Sequence, residues 1–467
     1  MRKQIAGFVA VVAVLMSTIA IATPSASGAD ESVDTVVPTT PLLSARRFPH
    51  SLQAAAADPK FADVLDPYLA RAAGSTCAVV MDAGRVVYAR GATDTLAPAS
   101  VQKLLTATAA LDILGPDTRL STVMAAVKAP ENGVVNGDLF LIGGGDPLLT
   151  TSGYRTSLEN PDQFSEDFTL VADALAQAGV KEITGGIVGD DSRYENLRWL
   201  PGWPTRYQMG GTVAPLSALL VNDGQTGFTQ TPTVANPNRR AGDPTVLAAE
   251  TFKTLLVSRG IKVSGPATAG TAPDGAVRVA TFESATVTEI VDEMLSDSDN
   301  TTAELLTREM GFVAKGRGTT AAGLEAVAES IGKLDLPGSD FRMSDGSGLD
   351  PENRMSCALA LALITNAPRG SAIADALPVA GKTGTLRKRM LSTASTGRVQ
   401  AKTGTLNTAN ALAGFADTPL GNRLTFAMIQ NGSDPRGPGF ADGFADRLMT
   451  YADAPKLSLL GPVTAAK

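Results

Sequence analysis

The sequence predicts an α+β fold: an antiparallel sheet flanked by helices, with a large α+β region inserted in the middle of the chain. Three observations carry this. Two β-rich runs, 77–82 and 85–90, flank an Ala-Gly turn and form a hairpin near the start. A segment rich in Ala and Leu without interior Gly or Pro, 101–114, follows as a helix. More β-rich runs, at 399–403, 413–416 and 423–429, return near the end, while the character changes between about 120 and 285.

Taken in order, residues 1–29 have the three parts of a secretory signal. Arg2 and Lys3 precede an apolar run from Ile5 to Ala22, and the small residues Pro24-Ser25-Ala26-Ser27-Gly28-Ala29 follow. Cleavage is expected after Gly28 or Ala29. The alternative is an uncleaved anchor, since the run approaches the ~18–20 residues that span a bilayer. Residues 30–45 form a polar, Pro/Thr-rich linker. The main domain's first part covers 46–128, with a short helix at 61–73, the hairpin and the 101–114 helix. Residues 129–284 form the insertion, read as two small nested units. The second part covers 285–452, with helices at 287–295, 302–313, 321–331 and 355–365, then the strands and a last helix at 440–451. Residues 453–467 form a tail.

Composition excludes several functions. The net charge of −7 and the lack of any basic block argue against nucleic-acid binding. A single histidine, His50, leaves too few ligands for a His/Cys metal site and only one candidate for a Ser-His-Asp triad. No metal or organic cofactor is called for. The two cysteines, Cys77 and Cys357, lie in apolar runs and read as buried free thiols. Gly143-Gly144-Gly145-Asp146-Pro147 lacks the Gly-Lys-Ser/Thr of a phosphate loop and reads as a turn.

Serine chemistry here therefore runs on a lysine. Ser100 and Lys103 stand three apart at a helix start, where i and i+3 share a face. A desolvated lysine can take the proton of a nucleophilic serine. Ser298-Asp299-Asn300 falls between two helical segments, and Lys402-Thr403-Gly404-Thr405 lies on an edge-strand candidate, where Gly404 lets a substrate backbone approach.

In this order, S-x-x-K, S-D-N and K-T-G resemble the penicillin-recognising serine enzymes. The resemblance runs from about 45 to 452. Gly143 to Pro147, Ser298 to Asn300 with Ala303-Glu304-Leu305, Asp345-Gly346-Ser347-Gly348-Leu349 and Ala401 to Leu406 make it closest to the D-alanyl-D-alanine carboxypeptidase/endopeptidases of the class C penicillin-binding protein type. Those carry a large insertion between the first two motifs, as this chain does. The resemblance implies a transpeptidase/serine β-lactamase-like fold and an exported enzyme in the periplasm or cell-wall space. It acts on peptidoglycan stem peptides through an acyl-enzyme and is acylated by β-lactams. Ser100 is the implied nucleophile and Lys103, neutral beside a cationic Lys402, its base. Ser298 relays a proton to the leaving amine, and Asn300 holds the substrate amide. Lys402, Thr403, Gly404 and Thr405 line the site of the terminal carboxylate, and the N–H groups of Ser100 and Thr405 form the oxyanion hole. A β-lactamase or transpeptidase on the same fold, and a non-catalytic cell-wall binding protein, are the alternatives.

Three segments mimic the motifs. Ser330-Ile331-Gly332-Lys333 repeats S-x-x-K at a helix end, where developing negative charge is disfavoured. Tyr194-Glu195-Asn196 repeats Y-x-N inside the insertion. Lys382-Thr383-Gly384-Thr385-Leu386 duplicates Lys402 to Leu406 but runs into Arg387-Lys388-Arg389, a poor strand start, so Lys402 is the expected site lysine. One departure concerns the free end of the peptide stem. Asp350-Pro351 stands where the family often has Ser-Arg; Arg354 is nearby without an assigned place, and Asp190 or Asp191 of the insertion is the candidate for contact with the stem's amino group.

Overall fold

The computed structural model describes residues 44–47, 49–227, 239–338, 340–432, 437–453 and 459. The expected signal, most of the linker and the tail beyond 453 lie outside the described residues. No described helix is long and apolar enough to cross a membrane.

Two five-stranded sheets organise the chain. The first runs, across the sheet, Val399–Leu406, Ala409–Asp417, Arg423–Asn431, Thr76–Asp82 and Arg85–Arg90. Every neighbouring pair is antiparallel. Strands from both ends of the sequence thus share one sheet, with Val399–Leu406 on its edge.

Helices cover both faces. On one face, Ala57, Phe61 and Leu65 of the helix Pro49–Leu69 pack with Phe440, Phe444 and Leu448 of the helix Pro438–Leu448. The first helix begins at Pro49 rather than at the expected 61. The buried positions 57, 61, 65 and 69 recur every fourth residue, so packing on the sheet sustains the helix through Pro59. On the other face, Leu104 and Leu105 of Lys103–Ile113 join Leu359 and Leu363 of Cys357–Asn366. Each such buried aliphatic contributes about 1.5–3 kcal/mol.

The cysteines differ from the expectation of free thiols. Cys77, on a central strand, and Cys357, at the start of a helix packed on it, form a disulfide with Cα atoms 5.9 Å apart. Both were rightly placed in apolar elements. Their pairing comes from the helix lying directly on the strand, a contact between segments 280 residues apart.

The second sheet is mixed, in the order Ala267–Ala269, Ile187–Asp190, Leu139–Ile142, Arg119–Ala126 and Val277–Thr286. Helices Thr169–Gln177 and Pro244–Ser258 pack on it through Phe168, Val171, Leu175, Phe252 and Leu256. Arg119–Ala126 and the end of Val277–Thr286 extend it beyond the 129–284 bounds read from the sequence.

The return to the main domain is set by caps. Thr286 and Glu289 make a reciprocal capping box for Val287–Ser296. Asp299 caps Asn300–Lys315 by accepting from Thr302 N at 2.8 Å. Between these helices Ser298 sits at φ 63°, an uncommon conformation for a serine, which turns it out of both.

Candidate active site

The first turn around Ser100 is a 3-10 helix, Ala99–Gln102, that feeds directly into Lys103–Ile113. In a 3-10 turn, residues i and i+3 eclipse. Ser100 therefore faces Lys103 more squarely than an α-turn allows, and Lys103 Nζ lies 3.0 Å from Ser100 Oγ. The same Nζ donates to Asn300 Oδ1 at 2.7 Å and to the Ser347 carbonyl at 2.8 Å.

Lys402 comes from the sheet edge. Its Nζ donates to Ser298 Oγ at 2.8 Å and to the Thr403 carbonyl at 3.0 Å. Thr403 Oγ1 donates to Thr385 Oγ1 at 2.9 Å. Gly404 is required by proximity: a Cβ there lies 2.7 Å from the Pro98 carbonyl oxygen and 3.1 Å from Ser100 N. Thr405 continues the strand opposite Asn410 and is exposed. All three expected motifs thus converge on Ser100.

Both lysines are completely buried. Burial holds Lys103 down to about 8, against the pull of Asp299, Asp345, Glu304 and Glu293, which favour its charge. Lys402 lies well below the usual lysine range, first through burial and then through repulsion by Lys103. The carboxylates gather around Lys103. Its three hydrogen bonds also use all three donors of an ammonium. The sequence reading makes Lys103 the neutral partner of a cationic Lys402; burial pulls both lysines down, and the acidic groups that favour charge on Lys103 come from distant segments.

A buried polar frame supports the lysine. Glu304 Oε1 accepts from Gly346 N at 3.0 Å and Ser347 N at 2.8 Å, which aims the Ser347 carbonyl at Lys103. Burial, then the neighbouring Asp345, push Glu304 up to about 8. Asp345 accepts from Trp203 Nε1, Asn353 Nδ2 and the N–H groups of Gly348 and Asp350 at 2.6–2.9 Å. The insertion also reaches the site directly, as Asn300 Nδ2 donates to the Thr212 carbonyl at 2.8 Å.

Sequence reasoning quoted the Glu304 and Asp345 motifs without giving them a task, and missed Thr212, Trp203 and Thr385. Only Thr385 carried a signal, the duplicated Lys-Thr-Gly-Thr-Leu. The other mimics lie elsewhere. Ser330 donates to Asp112 at 2.7 Å, and Tyr194 is buried and donates to Glu309 at 3.0 Å. Asp146, after the glycine run, accepts from Leu148 N at 2.9 Å as a turn residue. The residues named for the stem's free end are engaged otherwise. Asp191 Oδ2 accepts from Arg198, Ser217 and Thr245. Asp190 accepts from Ser192 N and Ala272 N. Arg354 donates to the carbonyls of Pro351 and Asn353. No cluster of His, Cys, Asp and Glu suited to a metal occurs among the described residues.

A serine and a lysine on a helix start, facing a buried lysine on the edge of an antiparallel sheet, belong to the penicillin-binding protein and serine β-lactamase fold. The structure of penicillin binding protein 4 from Haemophilus influenzae superposes with a TM-score of 0.67 at 20% identity, covering 83% of this chain and 98% of that one. The family follows from the sequence match: the chain belongs to the D-Ala-D-Ala carboxypeptidase 3 (S13) family, whose model matches residues 60–239 and 232–447. It is 30% identical over 461 residues to the D-alanyl-D-alanine carboxypeptidase of Actinomadura sp. strain R39, covering 83% of each chain. It is 32% identical over 377 residues to carboxypeptidase DacB of Mycolicibacterium smegmatis, covering 78% of this chain and 77% of that one. It is a serine-type D-Ala-D-Ala carboxypeptidase.

Proposed function

We propose that Ser100 is the nucleophile and Lys103 the base of an acyl-transfer reaction on peptidoglycan stem peptides. The observation that carries this is Lys103 Nζ, buried and within 3.0 Å of Ser100 Oγ. The substrate carboxylate binds at Lys402, Thr403 and Thr405. A negative charge beside Lys402 favours its protonation, and a charged Lys402 favours a neutral Lys103. Lys103 then takes the Ser100 proton as Oγ attacks the carbonyl of the penultimate D-alanine. The N–H groups of Ser100 and Thr405 stabilise the oxyanion. Asn300 holds the substrate amide, and Ser298, hydrogen-bonded to Lys402, passes a proton to the leaving amine. Water releases the acyl group.

A β-lactam enters by the same attack and stays as the acyl-enzyme. This reading draws support from the H. influenzae protein, whose structure is also known complexed with a β-lactam, at a TM-score of 0.59 to this chain. The signal-like residues 1–29 and the Cys77–Cys357 disulfide support an exported location. Ser100→Ala is expected to abolish both D-alanine release, followed by mass, and labelling by a fluorescent penicillin. Labelling that persists in this variant refutes the assignment.

A further inference from the structure

Besides Ser100, Lys103 Nζ faces two acceptors, and one segment of the inserted region holds both. Ser347 presents its carbonyl from the loop that begins at Asp345, and Asp345 Oδ2 accepts from Trp203 Nε1 at 2.9 Å. Asn300 presents its Oδ1, and its Nδ2 donates to the Thr212 carbonyl. Beside Asn300, Thr301 Oγ1 accepts from Ala214 N at 3.0 Å. The segment is anchored on the helix that Asn300 begins. Arg308 of that helix is fully buried and donates to the carbonyls of Glu195 and Leu197 at 3.1 and 2.6 Å. Tyr194 donates to Glu309 of the same helix. The Tyr194-Glu195-Asn196 mimic is thus the start of a strap. Leu200, Trp203, Val213 and Leu216 of the strap then share one apolar cluster with Leu305 of the helix and Leu349 of the Ser347 loop. The apolar contacts fix where the strap lies, and the buried indole N–H gives it a direction.

We propose that this strap positions the acceptors of Lys103 for acylation, with Trp203 and Thr301 as its positioning residues: Trp203 sets the Ser347 carbonyl through Asp345, and Thr301 sets Asn300 through the 212–214 backbone. The proposal rests on the acyl-transfer reading. The relay from Trp203 is short and dry. Asp345 is fully buried, and its carboxylate also accepts from Gly348 N and Asp350 N, which closes the loop on itself. Its carbonyl accepts from Gln102 Nε2 at 2.6 Å, and Gln102 immediately precedes Lys103 in the serine turn. Among the described donors to the Asp345 carboxylate, Trp203 alone comes from the inserted region. A buried carboxylate that loses a charge-assisted donor is left short of solvation, and the loop it organises shifts. The base feels this in two ways. Lys103 is faced by Asp299, Asp345, Glu304 and Glu293, which favour its charge, and by Lys402, which opposes it. Burial pushes Asp345 up, and the Trp203 N–H is the first of the donors that oppose this. Without that donor Asp345 moves toward its neutral form, and the Ser347 carbonyl moves off Nζ. Both changes weaken the hold on the ammonium. The neutral amine then appears at lower pH, but in a poorer place for Ser100.

The test is Trp203→Phe in the full chain, which keeps a ring in the apolar cluster and removes the N–H. Two measurements are made: the rate of fluorescent-penicillin acylation per labelled site from about pH 6 to 10, and kcat and KM for D-alanine release from a stem peptide ending in D-Ala-D-Ala. The plateau acylation rate and kcat are expected to fall about tenfold, the loss of one hydrogen bond to a charged group. KM is expected to stay within about twofold, and the acylation midpoint to move down by about half a pH unit. Thr301→Val, which removes the acceptor of Ala214 N, is expected to lower kcat about fivefold, and Thr301→Ser to stay within about twofold of wild type. This pair reports on the same strap should Trp203→Phe fold poorly. A Trp203→Phe protein with a lowered Tm but the wild-type rate per labelled site and the wild-type midpoint has lost packing alone. That result overturns the proposal and leaves the acyl-transfer reading standing, as does a wild-type kcat in Thr301→Val. A wild type that is neither labelled nor releases D-alanine overturns both.

Discussion

Residues 382–386 and 402–406 are the same five amino acids in the same order, and they do different things. Lys402 is buried on a strand with its Nζ on Ser298, whereas Lys382 is exposed in a turn, its side chain lying against Gly397. The flanks make the difference. Val399 and Ala401 are buried on the sheet, and the strand turns directly into Ala409–Asp417, so the second copy pairs along its whole length. The first copy follows Gly381 at φ 68°, contains Gly384 at φ 49° and runs into three basic residues, so it folds into a 3-10 turn. A motif is thus a list of side chains. Its chemistry comes from the desolvation that its surroundings impose.

The two copies differ most when each lysine is removed in turn. Lys402→Ala is expected to lower D-alanine release about 10³-fold, in the range of lost acid–base and carboxylate-binding groups. Lys382→Ala is expected to stay within about twofold, as surface changes do. Equal losses refute the distinction. Next in size is the pH dependence of the buried lysines. Lys103 must be neutral to act, and burial holds it down to about 8. Acylation, read by the rate of penicillin labelling, is therefore expected to rise about tenfold per pH unit below that value and level off above it. A flat profile between pH 6 and 8 counts against Lys103 as the base. The smallest contrast lies in the glycines. In Gly404→Ala the new Cβ meets backbone beside Ser100, so kcat/KM falls about tenfold through displaced reacting atoms. In Gly384→Ala it lies 2.3 Å from the Ser296 carbonyl oxygen in a positive-φ turn, which costs about 1–3 kcal/mol of stability, read as a fall in Tm.

Much of this was legible from residue types and spacing. The hairpin, the serine helix and the strand holding Lys402 show their periods openly, and Ser100, Lys103, Ser298, Asn300 and Lys402 stand in motifs a few residues long. What was not legible depends on distant segments meeting. Trp203 and Thr212 of the insertion reach Asp345 and Asn300 with no local sign. The acidic groups that act on Lys103 come from several elements far apart in the chain. The first helix starts earlier than read because packing outweighs Pro59. The cysteines were sorted by the apolar character of each segment alone, which says nothing about which elements touch.

That last contact bears on how the protein withstands damage. The Cys77–Cys357 bond closes a covalent ring through the whole inserted region, from the central strand to the helix packed on it. A protease that clips the backbone once between Ser100 and Cys357 yields two chains still tethered at their base, with the nucleophile on one and the sheet-edge lysine on the other. Such a nicked molecule runs at full length on a non-reducing gel and separates only when a thiol is added.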